Sequence, residues 1–215
     1  MRPITLGGFE DKFAADADPW RTFSNRDEAR KRDAILHALG PGLRGRTLEV
    51  AAGNGSNSVA LVRRALRLDA TEGTREGTRL VAEALAGEPR ARASLLVLPG
   101  RFPHARYQAI VVAEILYYLS ERDLAATARR TAAALAPGGR LVLAHHRVDY
   151  PDFVQHAAGI HRRFLAASGA AWRGGVTLRT GRWVVEGWSR IGAEAPDAAT
   201  GSRRRPDSRA APAAP

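Results

Sequence analysis

The chain has 215 residues, enough for one domain with a substantial core, and its 45% apolar and 26% charged residues belong to a folding sequence rather than a disordered one. It contains no cysteine, which excludes disulfides and thiolate metal sites. The formal charge of +11 invites a polyanion partner, but the basic residues are spread along the chain, and all except Lys12 and Lys31 are arginine, so a solvated basic surface is the expected reading. Residues 1–11 carry no apolar run of signal-peptide type. The most apolar stretch, 109–119, includes Glu114 and falls well short of the ~20 residues that cross a bilayer. A cytoplasmic location is therefore the default expectation.

Residues 9–25 read as a polar segment dotted with aromatics and broken by Asp18-Pro19. A helix follows over 26–39, with Ala29, Ile35, Leu36 and Leu39 spaced as an apolar stripe and Gly40-Pro41-Gly42 as its stop. Strand and helix signals then alternate. Strands are predicted at 47–51, 66–70, 94–98, 107–112 and 140–145, and helices at 56–65, 77–85, 121–135 and 153–168. The fourth strand is almost uninterruptedly apolar, as when both faces of a sheet are covered. Pro137-Gly138-Gly139 closes the 121–135 helix, and 177–189 holds two further strands around Thr180-Gly181. The alternation specifies an α/β, Rossmann-like sandwich with a mainly parallel sheet and helices on both faces. Three regions follow: a cap segment and helix over 1–45, a core over 46–191, and a tail over 192–215 whose Ala, Pro, Arg and Ser lack periodicity and predict disorder.

Between the first strand and its helix lies Leu48-Glu49-Val50-Ala51-Ala52-Gly53-Asn54-Gly55-Ser56. Open α/β sheets bind ligands at this end of the strands, and small residues let the backbone approach them. Glu49 argues against a phosphate cradle, because a carboxylate repels pyrophosphate. It suits S-adenosylmethionine, which has no phosphate and carries two cationic groups. Glu72, about 20 residues beyond the glycines and at the tip of the second strand, is placed to accept ribose hydroxyls. Asp69 is the competing acid, but the alternation of Leu66, Leu68 and Ala70 puts it inside the strand. A third dinucleotide-type glycine would fall at Ser58, a mark against NAD.

The loop resembles motif I of class I methyltransferases, with Gly53 and Gly55 matching and Ala51 in place of the first glycine. The segment Ala113-Glu114-Ile115-Leu116-Tyr117-Tyr118-Leu119 narrows the resemblance to the nodulation protein S-like methyltransferases. Phe9 to Phe13, Asp16-x-Asp18-Pro19-Trp20, Glu28-Ala29-Arg30-Lys31, and Leu141 to His145 with Arg147 are similar to that family too, so the likeness spans roughly 9–190. It implies a small-molecule acceptor, most naturally an amine or amino sugar methylated on nitrogen. Two departures near the site, Tyr107-Gln108 opening the fourth strand and His146 in a tryptophan's place, point toward a different acceptor.

The resemblance also implies roles. Glu114, Tyr117, Tyr118, His145 and His146 fall where the fourth and fifth strands face the methyl group. Glu114 has two readings, holding the cofactor's amino end or binding an acceptor amine. A tyrosine ring near the sulfonium would add cation–π attraction. His145 is the expected general base, with a buried structural histidine as the competing reading; His146 and His161 rank behind it. Trp20 is expected over adenine and Arg30 against the methionine carboxylate, the alternative being a stapling tryptophan and a solvated arginine. No metal is expected, since His145 and His146 are adjacent and point apart on a strand. The competing functions are O-methylation, an RNA or protein methyltransferase, and an inactive methyltransferase-like domain binding nucleic acid through its basic surface. Ala51 and Gln108 keep the last alive; no Asn-Pro-Pro-Tyr-like segment supports an RNA or protein acceptor.

Overall fold

The computed structural model describes residues 3–192, so the tail expected to be disordered lies, from residue 193 onward, outside the described residues. Seven strands form one sheet: Arg44–Val50 (β1), Ala65–Glu72 (β2), Ala91–Leu95 (β3), Tyr107–Ala113 (β4), Leu135–His146 (β5), Trp172–Arg179 (β6) and Trp183–Arg190 (β7). Their order is β3-β2-β1-β4-β5-β7-β6. The first five strands pair in parallel, and β7 runs antiparallel between β5 and β6. Helices Leu6–Ala15 (α1), Arg26–Leu39 (α2), Ser58–Leu61 (α3), Arg75–Ala84 (α4), Glu121–Ala134 (α5) and Ile160–Ala167 (α6) complete the fold. None of them is long and apolar enough to cross a membrane.

The sheet is buried on both faces, and β4 shows why it reads as continuously apolar. Ala109, Val111 and Ala113 pack with α2 residues Ala34, Ile35, Ala38 and Leu39. Ile110 and Val112 face the other way, with Leu124 and Ala128 of α5 and Ile160 and Phe164 of α6. Burying a side chain of this size contributes ~1.5–3 kcal/mol, so the two layers supply most of the driving force.

Helix α2 keeps its predicted bounds, but its buried stripe is Lys31, Ala34, Ile35, Ala38 and Leu39, not Ala29 and Leu36. The alanines win because they permit close approach: the Arg140 Nε–H donates to the Ala38 carbonyl at 2.7 Å across that contact. The rotation turns Lys31 inward and leaves Arg30 and Ala29 exposed.

Other differences have equally local causes. The polar segment begins with a helix, α1, which Thr5 caps by accepting from the Gly8 amide at 3.2 Å. The first helix after the loop shrinks to α3 and a 3-10 turn, Val62–Arg64. The third strand sits earlier than expected, where Leu68 pairs with Ala91 and Glu72 with Leu95. The predicted 153–168 helix forms only as α6, because the Val154 and Gln155 amides donate to the Tyr117 carbonyl at 2.8 and 3.0 Å. Pro137-Gly138-Gly139 sits in an irregularity of β5, where the register jumps from Leu135 opposite Tyr107 to Arg140 opposite Ala109.

Strand order reverses between β1 and β4, the place where open α/β sheets form their ligand crevice. Both strands leave the sheet there through a left-handed residue, Ala51 with φ 55° and Glu114 with φ 54°. A side chain in that conformation costs ~1–2 kcal/mol, while glycine loses ~0.5–1 kcal/mol more entropy on folding. Ala51→Gly is therefore expected to raise the unfolding free energy by about 0.5–1 kcal/mol, read from a urea midpoint at unchanged slope.

Candidate functional site

The turn after β1 is shaped by close contact with α4. A Cβ built on Gly55 would lie 2.9 Å from the Ala84 Cβ and 3.2 Å from the Val81 Cα, at a φ of +85°. This position admits only glycine without movement, which gives one motif residue a packing reason. Gly53 turns its amide inward instead and donates to Glu72 Oε2 at 3.0 Å.

Glu49 and Glu72 flank that turn from the ends of β1 and β2, both buried. Glu72 Oε1 accepts from the Thr74 amide at 3.1 Å and from its hydroxyl at 3.0 Å. Burial still pushes its carboxyl above the usual range, against those donors. Glu49 Oε2 accepts from the Ser58 hydroxyl, while Oε1 is buried without a partner. Burial raises its carboxyl to about 7, opposed by donors from Ser58 and Asn57, reinforced by the charge of Glu72, and opposed again by Arg32. Asp69 lies inside β2 as the alternation implies, tied to Arg46 at 3.0 Å.

An orphaned, buried acceptor beside a second carboxylate is a poor host for a phosphate and a good one for hydroxyl or ammonium donors. The residues present fit a phosphate-free, positively charged nucleoside.

A second cluster forms next door, at the end of β4. The Lys31 Nζ donates to Glu114 Oε1 at 2.6 Å and to Glu28 Oε1 at 2.8 Å. The Tyr117 hydroxyl donates to Glu114 Oε2, and the His146 amide reaches the same oxygen at 3.3 Å. Burial works against ionisation of Glu114, but the Lys31 cation, with His146 and the Tyr117 hydrogen bond, holds its carboxyl below the usual range. The His146 Nε2 stands 3.8 Å from Glu28 Oε1 and 3.9 Å from Glu114 Oε2. Rings complete the wall. Tyr117 stacks on Phe153 at 3.7 Å, Tyr118 meets Phe9 and Phe153 edge-on at 4.9 and 5.1 Å, and Tyr150 meets His146 at 5.7 Å.

The amino-terminal segment folds over the turn. Asn54 Nδ2 donates to the Ala17 carbonyl at 3.1 Å and to Asp18 Oδ1 at 2.9 Å, and the Thr22 hydroxyl donates to Asn54 Oδ1 at 3.0 Å. The Arg32 guanidinium donates to the carbonyls of Thr22, at 3.2 Å, and Ser56, at 3.1 Å. Trp20 is 39% exposed on this flap, with Phe13 at 5.4 Å, Phe9 at 6.0 Å and the Lys12 ammonium 5.8 Å over its ring.

The structure thus gathers Glu49, Ala51, Gly53, Gly55, Glu72, Glu114 and Tyr117 around neighbouring strand ends, with Trp20 at the rim. Two expectations do not fit. Arg30 lies on the outer face of α2, in a shallow groove with Asp33, His37 and Trp183, because the helix phase turns it away. Lys31 occupies the inward position instead. Its signal was the spacing 31, 34, 35, 38, 39, a stripe that includes one cation. His145 is fully buried and both ring nitrogens are engaged, Nε2 by the Leu116 amide at 3.2 Å and Nδ1 by His161 Nε2 at 2.9 Å, so it has no free nitrogen to act as a base. The adjacent His146 presents one.

No protein-family model matches the sequence, and no curated protein matches it. Solved structures do. A candidate methyltransferase from Pseudomonas syringae is 27% identical, with a TM-score of 0.67 over 77% of this chain and 100% of its own. The N-methyltransferase NodS from Bradyrhizobium japonicum, in complex with S-adenosyl-L-homocysteine, is 20% identical, with a TM-score of 0.75 over 86% of this chain and 97% of its own. The cyclase SpnF is 14% identical, with a TM-score of 0.64 over 80% and 85%. The fold is that of the class I S-adenosylmethionine-dependent methyltransferases. Since a cyclase shares it, the chemistry must be argued from the site.

Glu49 provides a test by pH. Its folded-state pKa of about 7 lies above the unfolded 4.5, so the folded protein loses stability as pH rises through that interval. Glu49→Gln removes the titration. The variant is expected to match the parent near pH 4 and to exceed it by about 2–3 kcal/mol at about pH 8, measured by urea unfolding without ligand.

Proposed function

We propose that this protein is a methyltransferase that uses S-adenosylmethionine as donor and a small amine, such as an amino sugar, as acceptor. The observation that carries the reading is the buried pair Glu49 and Glu72 at the ends of β1 and β2, with Glu49 Oε1 left without a hydrogen-bond partner. When bound, the cofactor supplies an electrophilic methyl group on a sulfonium centre.

The chain does the rest. Glu72 accepts sugar hydroxyls, and Glu49 sets a negative charge behind the turn. Lys31 and Glu114 offer opposite charges 2.6 Å apart, the complement of an amino-acid zwitterion. They are assigned to its carboxylate and ammonium, Lys31 taking the role expected of Arg30. Trp20 covers the crevice from the flap. Aligning nucleophile and methyl carbon while excluding water is the main task in this displacement. Tyr117, Tyr118 and Phe153 form the dry wall that does so.

An amine is favoured over a hydroxyl because Glu28 stands beside His146 at the acceptor end, and the aromatic faces of Tyr117, Tyr118 and Phe153 next to it attract cations. The proton leaves to His146 Nε2, which stands 3.8 Å from Glu28 Oε1. The basic surface does not enter this reading: the cleft itself is lined by carboxylates, which repel nucleic acid.

Calorimetry on the intact chain is expected to show S-adenosylmethionine binding, weakened about 10–100-fold by Glu72→Ala. Mass spectrometry against a panel of amino sugars, small amines, phenols and alcohols should then show methyl gain on amines. His146→Ala is expected to lower kcat about 100-fold with cofactor affinity retained. Absence of binding at high cofactor concentration would sink the proposal, and gain on phenols alone would move it to O-methylation.

A further inference from the structure

Three hydrogen-bonded gaps run from the turn after β4 through α6 to β7. The amides of Leu116 and Ile115 point at His145 Nε2, at 3.2 and 3.4 Å. His145 Nδ1 lies 2.9 Å from His161 Nε2 on α6, and His161 Nδ1 lies 2.9 Å from Glu186 Oε2 on β7. The two ends fix the direction. A backbone N–H only donates, and a carboxylate only accepts. His145 Nε2 is therefore bare and its proton sits on Nδ1. His161 Nε2 accepts that bond, so the His161 proton also sits on Nδ1 and is donated to Glu186. The backbone amides fill the first gap, and the Nδ1–H groups of His145 and His161 each supply one proton to the next.

We infer that His145, His161 and Glu186 are positioning residues: a chain of fixed polarity that anchors the turn carrying Glu114 and Tyr117, without touching substrate or cofactor. The inference rests on the proposed function only for the reaction that this turn serves.

The anchor has a definite job. The turn starts at Glu114 in a strained left-handed conformation and continues as a single 3-10 turn, Leu116–Tyr118, too short to hold itself. Its Leu116 amide is buried beneath it, and a buried amide requires a partner. His145 is the residue that supplies it. The charged and titratable groups facing His145 are Lys31 from α2, His146 beside it on β5, Tyr117 from the turn and His161 from α6. Burial first, then His161, Lys31 and His146, keep the imidazole well below its ordinary pKa, and therefore neutral. A further proton would set one N–H against another in a gap that already holds one. At the outer end, Glu186 is kept ionised by the bond from His161, with Arg179 assisting. His161 and Glu186 also wall a cavity of about 820 Å³ between α6 and the β6–β7 pair, so this end meets solvent.

The experiment needs no turnover to begin. Nitrogen NMR of the histidine rings, at about pH 8, is expected to show both His145 and His161 as Nδ1–H tautomers; an Nε2–H tautomer at either would overturn the inference. His161→Phe should speed hydrogen exchange at the Leu116 amide about tenfold or more, as should Glu186→Leu, while Glu186→Gln, which keeps an acceptor, should restore protection. With an active acceptor, His161→Phe and Glu186→Leu should lower kcat about tenfold and weaken cofactor binding through the displaced Glu114, while Glu186→Gln should restore both. Unchanged exchange in His161→Phe, or equal loss in both Glu186 variants, would refute the chain. Correct tautomers and exchange in a protein that methylates nothing would leave the chain standing and remove the methyltransferase reading instead.

Discussion

The molecule is organised by two neighbouring strands that end in the wrong-handed conformation. Where β1 and β4 run side by side at the reversal of strand order, Ala51 and Glu114 turn the chain away through positive φ. Neither residue favours that region, so the sheet and its two hydrophobic layers must hold both in place. What they create is a pair of neighbouring turns with the carboxylates of Glu49, Glu72 and Glu114 gathered beside them. Strain of this kind is stable only where the surroundings over-determine it. Here the surroundings are the Gly55 contact with α4 on one side and the histidine-linked anchor on the other.

Charge in this cleft is settled by burial as much as by pairing. Glu49 and Glu72 are pushed toward the protonated form because burial outweighs the donors that replace the water they lost. Glu114, only a strand away, goes in the opposite direction because Lys31 stands against it. Adjacent acids held apart in this manner divide the labour of a site: one tip responds to an arriving cation, and the other is ionised beforehand. The single inward lysine therefore holds the two acids of this cluster together. Without it, Glu28 and Glu114 would face each other unpaired.

Much of this was legible in the residues. The α/β class with a mainly parallel sheet follows from strand–helix alternation, and the apolar run of β4 announced that both its faces are covered. The acids at 49 and 72 and the glycines at 53 and 55 were readable because the loop between a strand and a helix has little freedom: only small residues fit, and only a strand-tip acid reaches the crevice. Ala51 was readable as a departure from the family pattern, though not that it is held at φ 55°.

Tertiary structure decided what one-dimensional spacing leaves open. A helical stripe fixes a face only to within a residue's rotation, and the close packing of Ala34 and Ala38 turned α2 so that Lys31, not Arg30, enters the site. A strand places His145 and His146 on opposite sides, but which side is sealed depends on α6, whose position comes from Phe164 and Ile160 in the core. His161 and Glu186 lie 16 and 41 residues downstream of His145, beyond any local pattern, and only the antiparallel return of β7 brings them into line with it. Sequence determines which groups are available and which element carries them. Packing determines which way each element faces, because that depends on surfaces contributed by distant parts of the chain.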